Sequence, residues 1–407
     1  MDELARRYLL LGLRLERVSP GFVDSYLGPA ELAEAVAGEP EPIPVELHDE
    51  ALALRSMAAD LTGDDPATEQ RRRWFDGQLR AVGALARLAA GEEITYLDLV
   101  QDLYGLPIAP TPDAELVAAR DRLDAGLPGS GTLVERAEAM RQALRVPPDR
   151  VLAAVIGSAE RMRAATRRDF ELPEPEGIDW GEAHDQPWGA SAEFTGRGRT
   201  AIRINVDLPW EVSGIAFLAS HEAYPGHHAE HVTKERTLVA AGRGEAMLRS
   251  MGTPEALLAE GMADVAREVV MTDRELAGEL ARIGAEVDVT GDWEAGVALN
   301  RTMLDLNPAM ANAAYMLHHE GRREAEVRAW LEEMLPLPDW IDHLMRVVTD
   351  RAGRNHVFTY TEGARLIRRW LETTGQTAGF TRLLAEQLSP AQLLAELEEP
   401  ALPPPGA

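Results

Sequence analysis

The chain has 407 residues, with 68 acidic and 41 basic side chains and a formal net charge of −27. That balance excludes nucleic acid, whose phosphates need clustered Lys and Arg, and an anionic membrane surface, so neither is expected as a partner. There is no cysteine, which removes disulfides, thiolate metal sites and cysteine nucleophiles and leaves any zinc to His, Asp or Glu.

The N-terminal stretch MDELARRYLLLGLRLERV puts acidic residues first and interrupts its apolar residues with arginines at helical spacing, unlike a signal peptide. No apolar run approaches the roughly 18 residues that span a bilayer, and a cytoplasmic location is expected. Residues 1–170 read as successive amphipathic helices separated by joints such as GEPEPIPVE, TGDDPAT, GLPIAPTPD and GLPGSGT. Within them apolar residues recur every three or four, as at Leu79, Val82, Leu85 and Leu88.

The pattern changes at 171, where ELPEPEGIDWGEAHDQPWGA is loop-like. Ile202, Ile204 and Val206 then alternate with polar residues, the period of a half-buried strand, and a small hairpin or sheet is expected here. From 213 onward the chain returns to helix. The expected organisation is an N-terminal helical region over 1–170, a second region over 171–400 continuous with it, and a flexible tail over 401–407.

The segment SHEAYPGHHAEH, residues 220–231, holds four of the ten histidines. Zinc hydrolases of the HExxH type place two histidines one turn apart on a helix, with the intervening Glu facing the metal-bound water. His221 and Glu222 fit that start at the end of the apolar helix IAFLASHEAY. Pro225 then removes an N–H and crowds the carbonyl of His221. In a regular helix His227 would lie about 240° around from His221. A two-residue bulge at Pro225-Gly226 would bring His227 to the position of the second ligand. Alternatively, His227 and His231 form a plain HxxxH pair, or the histidines are simply exposed.

Downstream, TPEALLAEGMADVAREVV reads as a helix over 253–270, capped by Thr253 with Pro254 at its first position. Glu260 and Asp264 share one face, and Gly261 leaves room for close approach. A Glu from a separate helix is a common third ligand to a two-histidine zinc site, and a carboxylate one turn on can fix the tautomer of a ligating histidine. The alternative is an exposed acidic pair.

HEAYPGHH at 221–228 and EGMADVA at 260–266 resemble the DUF885 family, grouped with zincin-like metallopeptidases that carry HExxPGHH and an EGxA-type helix. The resemblance covers mainly residues 200–370. It implies a mainly α, zincin-like helical metallopeptidase architecture with a small β-sheet or hairpin beside the active-site helix. It implies His221, His227 and Glu260 as ligands to one Zn2+ per chain, Glu222 as general base, and Asp264 as partner of His221. It also implies that TAIRINV, 200–206, is an edge strand lining a substrate groove. Where the family shows a Pro-Gly-Gln-Ala stretch ending in Tyr, this chain has RNHVFTY, 354–360, which keeps Tyr360 and replaces the rest.

His356 and Tyr360, four apart, are the candidate oxyanion donors. His228, Tyr315, His318, His319 and Arg351 are candidate substrate contacts, and Arg301, Arg351 and Arg354 are candidates for a substrate carboxylate. The expected activity is a zinc-dependent peptidase acting on a peptide or other small amide. The competing expectations are a metallohydrolase of a non-peptide amide or ester, and a non-catalytic helical metal-binding or interaction protein.

Overall fold

The computed structural model describes residues 1–398 apart from Asp64, Pro187 and Ala352. The expected flexible tail over 401–407 lies outside the described residues. Helices make up 68% of the structure, so the protein is mainly α, as the composition leads one to expect.

An N-terminal group of helices, Glu3–Val18, Pro44–Ala59 and Pro66–Ala89, packs around Tyr8, Trp74 and Phe75, whose rings meet edge to face at 5.1–5.6 Å. A second and larger apolar core runs from Ala81 to Leu393, across position 170. Strand β1, Val23–Tyr26, ties the N-terminal group to the His-bearing half of the chain by pairing antiparallel with the three-residue strand Leu248–Ser250.

Strands β2 (Gly177–Ala183), β3 (Ala190–Gly196) and β4 (Arg199–Asn205) form one sheet in the order β2-β4-β3. The β3–β4 pair is antiparallel and turns at Arg197-Gly198, both with positive φ. Glu235 holds this turn by accepting hydrogen bonds from both backbone N–H groups, at 2.7 and 2.8 Å. β4 is the central strand, with Ile202 facing Ala192 on one side and Trp180 on the other. The expectation that residues 200–206 line a groove as an edge strand is therefore overturned: both of their backbone edges are taken. The free edge nearest the histidines belongs to β3, which packs against the turn carrying His221.

Candidate metal centre

The helix Val212–Leu218 widens into a π-helical turn over Ala219–Ala223. The Tyr224 N–H donates to the carbonyl of Ala219, five residues back, at 3.1 Å. Pro225 follows through a cis peptide bond, and a new helix starts at His227. The helix is broken and restarted at this point, not bulged and continued. The Gly226 N–H reaches the Ser220 carbonyl at 3.0 Å, and a Cβ at this glycine would lie 1.9 Å from the His221 carbonyl oxygen. Only glycine lets the returning chain pass so close.

This break brings the two imidazoles face to edge. The Nε2 atoms of His221 and His227 are 3.2 Å apart, with the rings inclined at 87°. Glu260 enters from the helix Pro254–Val270, its oxygens 3.5 Å from His221 Nε2 and 3.8 Å from His227 Nε2. Asp264, one turn on, lies behind His221, its Oδ1 3.1 Å from Nδ1 but off the line of a good hydrogen bond. A tetrahedral zinc with bonds of about 2.0–2.1 Å has ligand–ligand edges of about 3.4 Å. The two imidazole nitrogens lie near that spacing, Glu260 approaches His221 with Oε2 and His227 with Oε1, and one ligand atom from each residue lies within 4.8 Å of the others, all of the nitrogen and oxygen types zinc accepts.

Burial favours the neutral form of the Glu260 carboxyl, but the hydrogen bond from His221 and the charge of His227 outweigh it and hold the group at about 2. Burial likewise disfavours protonated His221, yet the facing Asp264 and Glu260 raise it well above the usual range. The carboxyls of Glu260 and Asp264 thus stand where they would offset the charge of a cation held by His221. Glu222 is buried beside the pair, and burial pushes its carboxyl up.

His356 and Tyr360 come from the helix Gly353–Phe358 and the π turn Thr359–Gly363 that follows it, with His356 Nε2 3.0 Å from Tyr360 Oη. Backbone-to-backbone contact sets their place. A Cβ on Gly261 would lie 2.3 Å from the Gly363 carbonyl carbon, and one on Gly363 would lie 2.4 Å from the Leu257 carbonyl oxygen. This glycine pair seats the π turn directly on the Glu260 helix. Burial lowers His356 and raises Tyr360 well above its usual value, leaving both neutral, and both feel the charge of Glu260.

A second cluster, His227, Glu230 and His231, also has donor atoms within 4.8 Å of one another. There, however, Glu230 is bonded to the buried Lys234 and lies 3.7 Å from Arg249. Burial and the Arg249 charge hold His231 well below its usual value. Lys234 and Arg249 already balance the charge of this carboxylate, which fits it less well for a divalent ion, although Glu230 Oε2 and His231 Nδ1 are buried without a hydrogen-bond partner among the described residues.

The remaining candidates lie elsewhere. His228 is fully buried, its Nδ1 2.7 Å from Thr200 Oγ1 and its Nε2 3.0 Å from Glu176, so neither nitrogen is left for a substrate. His318 spends Nε2 on the Val348 carbonyl at 2.7 Å and packs on Tyr96. Tyr315 packs its ring at a tilt against the exposed His319. Arg301 pairs with Asp273, Arg354 covers the Tyr96 ring, and Arg351 is exposed. No hydrogen bond, ion pair or ring contact among the described residues joins Tyr315, His318, His319 or Arg351 to His221, His227 or Glu260.

Two groups escape sequence reasoning. Asp24 on β1 lies within electrostatic reach of His227 and Glu260, and desolvation pushes its carboxyl up against the pull of Arg249 and His227. Glu176 anchors the restarted helix, accepting from His228 Nε2, Tyr224 Oη and Arg163. The first lies on a four-residue strand without alternation, the second in a proline-rich loop, and neither context signals a site.

No protein-family model matches the chain, and no curated protein matches it. Among solved structures, the fold is similar to one described as "the putative lipoprotein from Colwellia psychrerythraea", at 15% identity and a TM-score of 0.52, over 86% of this chain and 66% of that one. A second, described as "a putative lipoprotein of unknown function from Shewanella oneidensis", aligns at 12% identity and a TM-score of 0.44, over 90% of this chain and 76% of that one. These findings overturn two expectations. The resemblance to the DUF885 family and its zincin relatives is not supported and is set aside, since it rests on two short stretches and no comparison extends it. The cytoplasmic placement is withdrawn as well, because the Colwellia protein is described as a lipoprotein. Among the described residues no helix is long and apolar enough to cross a membrane.

Proposed function

We propose that the protein is a zinc-dependent hydrolase, a metallopeptidase acting on a peptide or other small amide. One observation carries this reading: His221, His227 and Glu260, from three separate backbone segments, each offer a ligand atom within 4.8 Å of the others, with Asp264 behind His221. The plan of a broken His-Glu helix facing a glutamate helix is zincin-like, and that finer description of the fold is part of the same proposal. It rests on geometry, without appeal to a family.

His221, His227 and Glu260 would hold one Zn2+, which supplies Lewis acidity and an activated water when bound. Asp264 orients His221 through Nδ1 and so keeps Nε2 directed at the ion. Glu222 takes the water's proton at a carboxylate oxygen and returns it to the leaving nitrogen. Tyr360 keeps its proton. When His356 carries its own proton on Nε2 and donates it to Tyr360 Oη, the tyrosine O–H is free to donate to the developing oxyanion.

Replacing Glu222 with Gln tests the reading. Zinc content should stay at one per chain while hydrolysis of a peptide library falls by about 10²-fold or more. Wild-type turnover retained in Glu222→Gln would remove the base from the scheme.

A further inference from the structure

Arg267 is only 7% exposed, and no carboxylate among the described residues lies within ion-pair distance of it. Among the described residues its one hydrogen bond runs from Nη2 to the neutral Asn300 Oδ1 at 3.1 Å. Its neighbours are differently placed: Arg368 forks onto Glu268 and Arg301 pairs with Asp273 at 2.6 Å. Buried charges are ordinarily paired, and this chain has 68 carboxylates to offer. Burial depresses the guanidinium below its usual value, helped by the charges of Arg301 and Arg368 and opposed by those of Glu268 and Asp273.

Position matters as much as charge. Seven residues separate Glu260 from Arg267 on the helix Pro254–Val270, so the two share a face, about 10 Å apart along the axis. The Cα–Cβ bond of a helical residue tilts toward the N-terminus, here back toward Glu260. Arg368, whose charge reaches Arg267, also feels Asp264, the group behind His221.

We infer that Arg267, with Asn300, binds the terminal carboxylate of the substrate, so that the protein selects short peptides with a free C-terminus. A planar guanidinium fork matches a single carboxylate, and the Asn300 amide keeps the fork in place. An extended chain advances about 3.3 Å per residue, so the carboxylate lies roughly two to four residues beyond the bond cleaved. The inference deepens the hydrolase reading and rests on it.

The test is binding of matched acetylated pentapeptides, one with a free C-terminal acid and one amidated, to the zinc-loaded Glu222→Gln chain by calorimetry. The acid should bind at least about tenfold more tightly than the amide, and acetate should compete with the acid alone. Adding Arg267→Gln should abolish the preference, Arg267→Lys should leave part of it, and Asn300→Ala should reduce it severalfold. Asn300 is only half-buried, so that variant remains informative if Arg267→Gln fails to fold. Equal binding of acid and amide, or a preference unchanged in Arg267→Gln, would overturn the assignment. Acid preference without any hydrolysis by the wild type would sink the hydrolase reading and leave the carboxylate site standing. Hydrolysis without acid preference would do the reverse.

Discussion

Glu176→Gln removes the charge that anchors the restarted helix. In the wild type the Glu176 side chain is fully buried. Burial alone would raise its carboxyl, but donation from His228, Tyr224 and Arg163 outweighs that and holds it at about 2 against the usual 4.5. At 1.36 kcal/mol for each pH unit, this difference is worth about 3 kcal/mol of folding stability at neutral pH. Because the folded value lies below the unfolded one, the stabilisation is complete above about pH 4.5 and fades as pH falls toward 2. Urea unfolding of zinc-free wild type and variant, followed by circular dichroism, should show a gap of about 3 kcal/mol at pH 7 that shrinks to between 1 and 2 kcal/mol at pH 3. The comparison is made without metal so that zinc binding does not add to the apparent stability. A gap under about 1 kcal/mol at pH 7, or one that does not change with pH, would refute the assignment of Glu176 as a buried, ionised anchor.

Two further perturbations probe the metal centre. Gly226→Ala forces a Cβ against the His221 carbonyl, so the break must open; zinc affinity should fall by more than tenfold and thermal stability should drop with it, as read by competition with a chromophoric chelator and by calorimetry. Asp264→Ala leaves the three ligands in place but frees the His221 ring; the same chelator titration should show affinity weakened by about 10- to 100-fold with the far-UV spectrum unchanged, and an unaltered affinity would deny Asp264 its orienting role.

Much of the site could be read from local pattern. Thr253 caps the helix that carries Glu260 and Asp264, accepting from the Ala256 N–H at 3.3 Å, where the run Thr-Pro-Glu suggests a start. Pro225-Gly226 marks a break in the His helix, yet whether that break is a bulge or a restart depends on backbone hydrogen bonds that composition does not encode. Alternation at Ile202 and Ile204 identifies a strand, but it cannot say that β4 is paired on both sides, because its second partner, β2, lies in loop-like sequence. The pairing of β1 with residues 248–250 joins segments more than 200 positions apart and too short to show a period. His228 looks like a site residue beside His227; its partners Thr200 and Glu176 come from distant segments, and only the fold reveals that it is consumed in the core.

Zinc stoichiometry measured by elemental analysis on the wild type, Glu260→Ala and His231→Ala in parallel tests the central claim most directly. The account requires one zinc per wild-type chain, loss of that zinc in Glu260→Ala, and wild-type content in His231→Ala. Zinc retained in Glu260→Ala and lost in His231→Ala would place the ion in the His227–Glu230–His231 cluster, and an absence of zinc from the wild type after loading would remove the metal centre altogether.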